Sequence, residues 1–166
     1  MHDAVADYCR AWATTGPGTG LDLGGRDLNG HPRDLWPGVR WLVLDLRPGP
    51  GVDVVADATV DQDHGVYDVV LCTEVLEHVE DWPAVVATSA RALAAGGRLV
   101  ITCAGPGRAP HSGITAAGIT PGEWYRNVSH HELAAVLVEH GLMVDDCRQA
   151  GLDTQAAAHR PEVTDG

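Results

Sequence analysis

The chain has 166 residues and a formal charge of −12, and all 11 of its basic residues are arginine. An apolar fraction of 45% suits one soluble domain with its own core, and no run approaches the ~20 apolar residues of a membrane span. The acidic balance argues against nucleic acid as the main partner, because phosphate-backbone binders carry a basic stripe, and the absence of lysine excludes a Walker-type phosphate loop.

The opening "MHDAVADYCRAWATTG" has no basic start and no continuous apolar stretch, so no signal peptide is expected and a cytoplasmic location follows. Ala4, Val5, Tyr8, Cys9 and Trp12 form a helical stripe over 3–14, which "TGPGTG" stops. "LDL" (21–23) reads as a short buried strand running into the glycine-rich turn "GGRDLNG". Pro32 and Pro37 then limit "HPRDLW" to a short helix. Strands follow at 41–46 and 52–57, joined only by "RPGPG". That link is too short for a crossover helix, so the connection is expected to be trimmed.

Further strands are expected at 67–73 and 97–103. Between them lies a helix with Asp81 as N-cap, Pro83 in its first turn and Gly96–Gly97 as its stop. Another helix over 129–141 carries Ser129 and Glu132 in capping-box spacing and ends at Gly141. "LMVDDC" (142–147) is a sixth strand, and "DTQAAAHR" suggests a seventh, antiparallel strand closing the sheet edge. Strands alternating with helices imply an α/β sandwich, with its ligand at the carboxyl ends of the strands. There is no internal repeat, so 1–166 reads as a single domain, with an N-terminal helical segment (1–18) and one long flexible loop (104–121) directly after a strand end, where binding loops are built. The four scattered cysteines lack a C-x-x-C pair and read as reduced, apolar packing residues.

The chemistry gathers at the strand ends. Gly24 and Gly25, beside Asp22, would let backbone amides approach a ligand closely. Asp45 ends the second strand where a carboxylate can accept both hydroxyls of a ribose. Asp57, with Ala58 after it, closes the third strand and could meet an adenine edge. Asn29 either stabilises the left-handed turn or meets the far end of the ligand.

These pieces resemble a compact class I S-adenosylmethionine-dependent methyltransferase of the methyltransferase-11 type, over roughly 19–160. "LDLGG" resembles the first motif, in a variant form "GGRDLNG". "LVLDL" and "VVADA" resemble the ribose and adenine motifs, "YDVVLCTEVLEHVEDW" the fourth-strand motif, and "LAAGGRLVIT" the junction into the fifth strand. The resemblance implies a Rossmann-like, mostly parallel sheet of about seven strands with helices on both faces. It also implies S-adenosylmethionine as cofactor and S-adenosylhomocysteine as product. Leu46, Thr73 and Glu74 join Asp22, Gly24, Gly25, Asn29, Asp45, Asp57 and Ala58 as expected cofactor contacts. Glu74 and His78 share a helical spacing, but no third ligand is evident, so no metal is expected.

The implied reaction is methyl transfer to a hydroxyl or other heteroatom of a metabolite or sugar. His111, in the long loop, leads as general base because an imidazole titrates near neutral pH; His130, His131, Glu123 and Tyr125 are rivals. Trp12, Trp124 and Tyr125 are expected to cover the acceptor. Two other functions compete. One is a non-catalytic cofactor-binding partner or regulatory subunit. The other is an NAD-dependent oxidoreductase, which the failed G-x-G-x-x-G pattern disfavours. The partner is therefore a small-molecule acceptor, with neither nucleic acid nor membrane, and the oligomeric state is left open.

Overall fold

A computed structural model describes residues 3–60, 63–115 and 117–162. Seven strands form one sheet: β1 (Gly18–Leu23), β2 (Val39–Asp45), β3 (Val54–Val55), β4 (Tyr67–Thr73), β5 (Leu93–Ala104), β6 (Met143–Ala150) and β7 (Asp153–His159). Their order is β3-β2-β1-β4-β5-β7-β6, with β7 antiparallel to both neighbours and the other pairs parallel. The expected α/β sandwich is present.

Alternation along the strands sorts the core into two layers. Leu21, Leu23, Val70, Cys72, Leu99 and Ile101 face helices α2 (Trp82–Arg91) and α3 (His130–Glu139), packing on Val85, Leu133 and Leu137. Val69, Leu71 and Val100 face the other way, onto Val5, Tyr8 and Cys9 of α1 (Asp3–Trp12) and onto Trp36. Cys9, Cys72, Cys103 and Cys147 are all free thiols, the first three buried in these layers.

α2, β7 and β3 each depart from expectation. α2 ends at Arg91, not at Gly96–Gly97, because the fully buried Leu93 already pairs with Tyr67 across β4 and β5. The two glycines form an irregularity inside β5: Gly96 takes φ +73°, and a Cβ on Gly97 would stand 2.9 Å from the Ala94 carbonyl oxygen. β7 does not close the edge. It lies between β5 and β6, where the small side chains of Ala156, Ala157 and Ala158 are buried. β3 shrinks to two residues, Val54 and Val55, in register with Leu44 and Asp45, because Val52 N–H turns back to the Gly49 carbonyl. The chain between Pro32 and Pro37 makes one 3-10 turn, Arg33–Leu35.

The α3 cap forms as its spacing implies. Ser129 Oγ accepts from Glu132 N–H, and the Glu132 carboxylate accepts from Ser129 N–H. Asp81, in contrast, makes no side-chain cap on α2. Ser129→Ala should lower the stability by about 1 kcal/mol, read as a lower urea midpoint at unchanged slope.

Candidate active site

The parallel strands β1 to β5 all deliver their carboxyl ends to one cleft. At the end of β1, Asp22 lies on the α1 face between Leu21 and Leu23 and is 1% exposed. Its Oδ2 pairs with Nη1 of Arg33, which also donates to the Gly25 carbonyl at 2.9 Å. Burial pushes the Asp22 carboxyl up to about 6, against the opposing pull of the guanidinium. Asp22 Oδ1 is buried and has no partner among the described residues.

The glycine turn works differently from the sequence expectation. The Gly24 and Gly25 amides both donate to the Leu44 carbonyl, at 2.7 and 3.2 Å, and so tie β1 to β2 instead of reaching into the cleft. What the glycines supply is space. Gly24 has φ +73°, and a Cβ there would stand 2.3 Å from Val75 Cγ2; at Gly25 it would stand 2.5 Å from Asp22 Oδ2. Asp45 receives the Arg26 amide at 3.2 Å on one oxygen and the Arg47 amide at 2.9 Å on the other. Its carboxylate is thereby held in place, with lone pairs left for a ligand. Asp57 Oδ1 accepts from Thr59 N–H and Oγ1.

The cleft has two cavities, of about 350 and 300 Å³, both lined by Gly24, Arg26, Asp45, Glu74, His78 and Gly113. Asp22, Gly25, Asn29, Thr73 and His111 line the larger one; Leu46, Asp57 and Ala58 line the smaller. The ten expected cofactor contacts are therefore brought to one cleft. Arg26 Nη2 reaches across to the Gly113 and Ile114 carbonyls, at 3.4 and 3.2 Å, where the cavities meet.

The 104–121 loop forms the far wall, tied at several points. Glu123 accepts from Ser112 Oγ at 2.7 Å, Gly113 N–H at 3.2 Å, Thr120 N–H at 3.0 Å and Thr120 Oγ1. The Thr120 and Ser112 hydroxyls hold its carboxyl down at about 2. A carboxylate so fully engaged is a clasp and not a proton acceptor. Arg108 bridges Glu74 Oε2 at 2.7 Å and Asp153 Oδ1 at 2.5 Å. Glu74 is a non-glycine residue at positive φ, 58°, fixed by its N–H to the Thr102 carbonyl.

Behind the loop, three aromatic rings meet edge to face. His78 and His111 are 4.9 Å apart between centroids, and Tyr125 stands 5.6 and 5.1 Å from them. Tyr125 touches these imidazoles but lines neither cavity, and Trp124, 42% exposed, lines neither. Trp12 packs with Tyr8 and under the Arg98 guanidinium, again outside both cavities, and Val5 is the α1 residue that reaches the larger one. His130 and His131 stack on each other at the start of α3 and line neither cavity. Burial and the neighbouring His111 hold His78 down at about 4, so its ring is neutral at pH 7. Beneath them, Glu77 is fully buried and accepts the Ala104 amide at 3.0 Å; burial, with Glu74 nearby, raises its carboxyl well above the usual range. Arg33 and Glu77 were missed as site residues. Neither carries a spacing signal, because each acts through a contact made only in the folded chain.

The family model described as a methyltransferase domain, Methyltransf_23, matches residues 2–146. The chain belongs to that methyltransferase family. Two of the structures it resembles were solved with S-adenosylhomocysteine bound. The fold agrees: a Burkholderia thailandensis 1,6-didemethyltoxoflavin-N1-methyltransferase, solved with S-adenosylhomocysteine, superposes with TM-score 0.70 at 18% identity, over 96% of this chain and 78% of that one. A Methanosarcina mazei S-adenosylmethionine-dependent methyltransferase gives 0.71 at 13%, over 98% and 99%. The mitomycin 7-O-methyltransferase MmcR gives 0.64 at 20%, over 95% of this chain but 54% of its own length. No curated protein sequence matches the chain. The antiparallel β7 within the sheet also separates this methyltransferase from the all-parallel dinucleotide-binding order. No described helix is long and apolar enough to cross a membrane.

Arg33→Met would leave the Asp22 carboxylate buried and unpaired, at a cost of about 3–5 kcal/mol. Because folding raises the Asp22 pKa from 3.8 to about 6, the folded state takes up the proton more readily. Stability tied to Asp22 is therefore gained as pH falls through 6 and lost as pH rises through it. The difference between Arg33→Met and wild type should shrink from pH 8 to pH 5 in urea titrations; a constant difference would contradict the assignment.

Proposed function

We propose that the methyltransferase holds S-adenosylmethionine along both cavities and methylates a heteroatom of a small-molecule acceptor admitted beside the 104–121 loop. The observation that carries this reading is the alignment of Asp22, Asp45 and Asp57 along one cleft, each in a different chemical setting. Asp22 lines the larger cavity and keeps one buried oxygen without a partner among the described residues, a carboxylate suited to the ammonium of an amino acid. Asp45, lining both cavities, is placed for a ribose diol. Asp57 and Ala58 border the smaller cavity, where Leu44, Val75, Val79 and Val85 offer an apolar bed for a purine. The space at Gly24 and Gly25 that a Cβ would fill supports the same occupant.

The cofactor would supply a methyl group on a positively charged sulfur, the sulfur keeping the C–S bonding pair, an acceptor lone pair forming the new bond, and the acceptor's proton passing to the His111 imidazole. Catalysis then rests on alignment and exclusion of water. Arg26 and Glu123 hold the loop over the cleft, while His111 and His78 face the larger cavity as polar contacts for the reacting heteroatom. N- and O-methylation of ring compounds both occur on this fold, as the toxoflavin and mitomycin enzymes are named for them.

A paired experiment separates the two ends of the site. Asp45→Ala removes charge-assisted bonds worth about 1.5–3 kcal/mol, so its dissociation constant for S-adenosylhomocysteine should rise by about 10- to 150-fold. His111→Ala should bind the cofactor within about twofold of wild type yet lower turnover by about 10²–10⁴ on any acceptor found in a panel of hydroxylated and amino metabolites. Turnover and binding both unchanged in His111→Ala would remove it from the acceptor site.

A further inference from the structure

We propose that Glu77, His78 and His111 form a site for a first-row divalent cation, of the zinc or iron(II) type, at the acceptor end of the cleft. One nitrogen from each imidazole and one oxygen from the Glu77 carboxylate lie within 4.8 Å of one another. His111 Nε2 is 3.8 Å from Glu77 Oε1. Donors in a tetrahedral shell with bonds of about 2.0–2.2 Å stand about 3.3–3.6 Å apart. Rotation of the side chains by about an ångström would therefore complete the shell.

Three independent features point to a cation. Glu77 is 0% exposed, and its Oε2 has no hydrogen-bond partner among the described residues. His78 Nδ1 is likewise buried and partnerless among them, and the ring is fixed in position by Gly113, where a Cβ would stand 2.7 Å from its Cγ. His111 Nδ1 lies 3.2 Å from the Ala109 carbonyl oxygen. Only a protonated nitrogen can donate to that oxygen, so this tautomer leaves a lone pair on Nε2, the nitrogen facing Glu77. An outer hydrogen bond from one ring nitrogen to a carbonyl is the usual support for a metal-binding histidine. The Tyr125 hydroxyl donates to the same carbonyl at 3.2 Å, bracing the group from behind.

Two imidazoles and one carboxylate select first-row transition cations over magnesium or calcium, which prefer all-oxygen shells. Three protein ligands leave coordination positions open, as in catalytic rather than structural sites. His78 and His111 line the larger cavity, so those positions face the acceptor. A cation there would select acceptors carrying an oxygen donor next to the methylated atom, and would make a bound hydroxyl more acidic. This selectivity rests on the methyl-transfer reading of the cleft; the binding site itself does not.

The test is calorimetric titration of the full chain with Zn²⁺ in a weakly competing buffer, with Co²⁺ absorption as a second readout. One equivalent should bind, and His78→Ala, His111→Ala and Glu77→Gln should each weaken it by about a hundredfold or more. The visible Co²⁺ bands should disappear with it. His111 is on the loop with its side chain 30% exposed, so His111→Ala remains informative if replacing the buried glutamate prevents folding. No bound equivalent in folded wild type, or wild-type affinity retained in the folded variants, would overturn the site. S-Adenosylhomocysteine is titrated into the same samples. Its binding without Zn²⁺ binding overturns the cation alone, and its failure to bind overturns the cofactor reading whatever the metal does.

Discussion

Asp22 and Arg33 meet under the glycine turn, both nearly inaccessible to water. Two charges in that position gain little net stability, since desolvation offsets much of their attraction. What the pair provides is shape. Arg33 bonds the Gly25 carbonyl as well as the carboxylate, so the segment from 26 to 32 is folded back over the end of β1. That fold requires close approach: Gly25 sits where a Cβ would collide with Asp22, and Gly24 where one would collide with Val75. With both glycine amides bound to Leu44, β1 and β2 end in register, and Asp45 stands beside Asp22's cavity.

The opposite wall depends on the first. Arg26, placed by the turn and by its amide on Asp45, carries its guanidinium to the loop carbonyls of Gly113 and Ile114. Arg108 fastens the loop's other end to Glu74 and Asp153, at the ends of β4 and β7. The sheet thus supplies a rigid floor, and the loop a wall held by a few side-chain bonds. Such bonds can open without unfolding the core.

The alternation of strands and helices, the trimmed link between β2 and β3, and the Ser129–Glu132 cap were legible in the sequence because each is a local signal. Gly96–Gly97 misled for a physical reason: glycine pairs end helices, but they also mark bends within strands, and only the Leu93–Tyr67 pairing decides between them. β7 was readable as a strand but not in its place, since the order of neighbours is set by burial of Ala156–Ala158 and not by sequence. The gathering of Asp22, Asp45 and Asp57 at one cleft was legible as acidic strand ends. Arg33, the charge partner of Asp22, was not, and neither was the meeting of Glu77 and His78 with His111 from a distant loop.

A cleft shaped for S-adenosylmethionine and one shaped for a dinucleotide differ in which ligand saturates them. Calorimetry on the wild-type chain, with S-adenosylhomocysteine and NAD titrated in parallel, separates the two most directly. One equivalent of S-adenosylhomocysteine should bind, with a negative heat-capacity change from purine burial, and NAD should give no saturable heat. Saturable binding of NAD with none of S-adenosylhomocysteine would contradict the account.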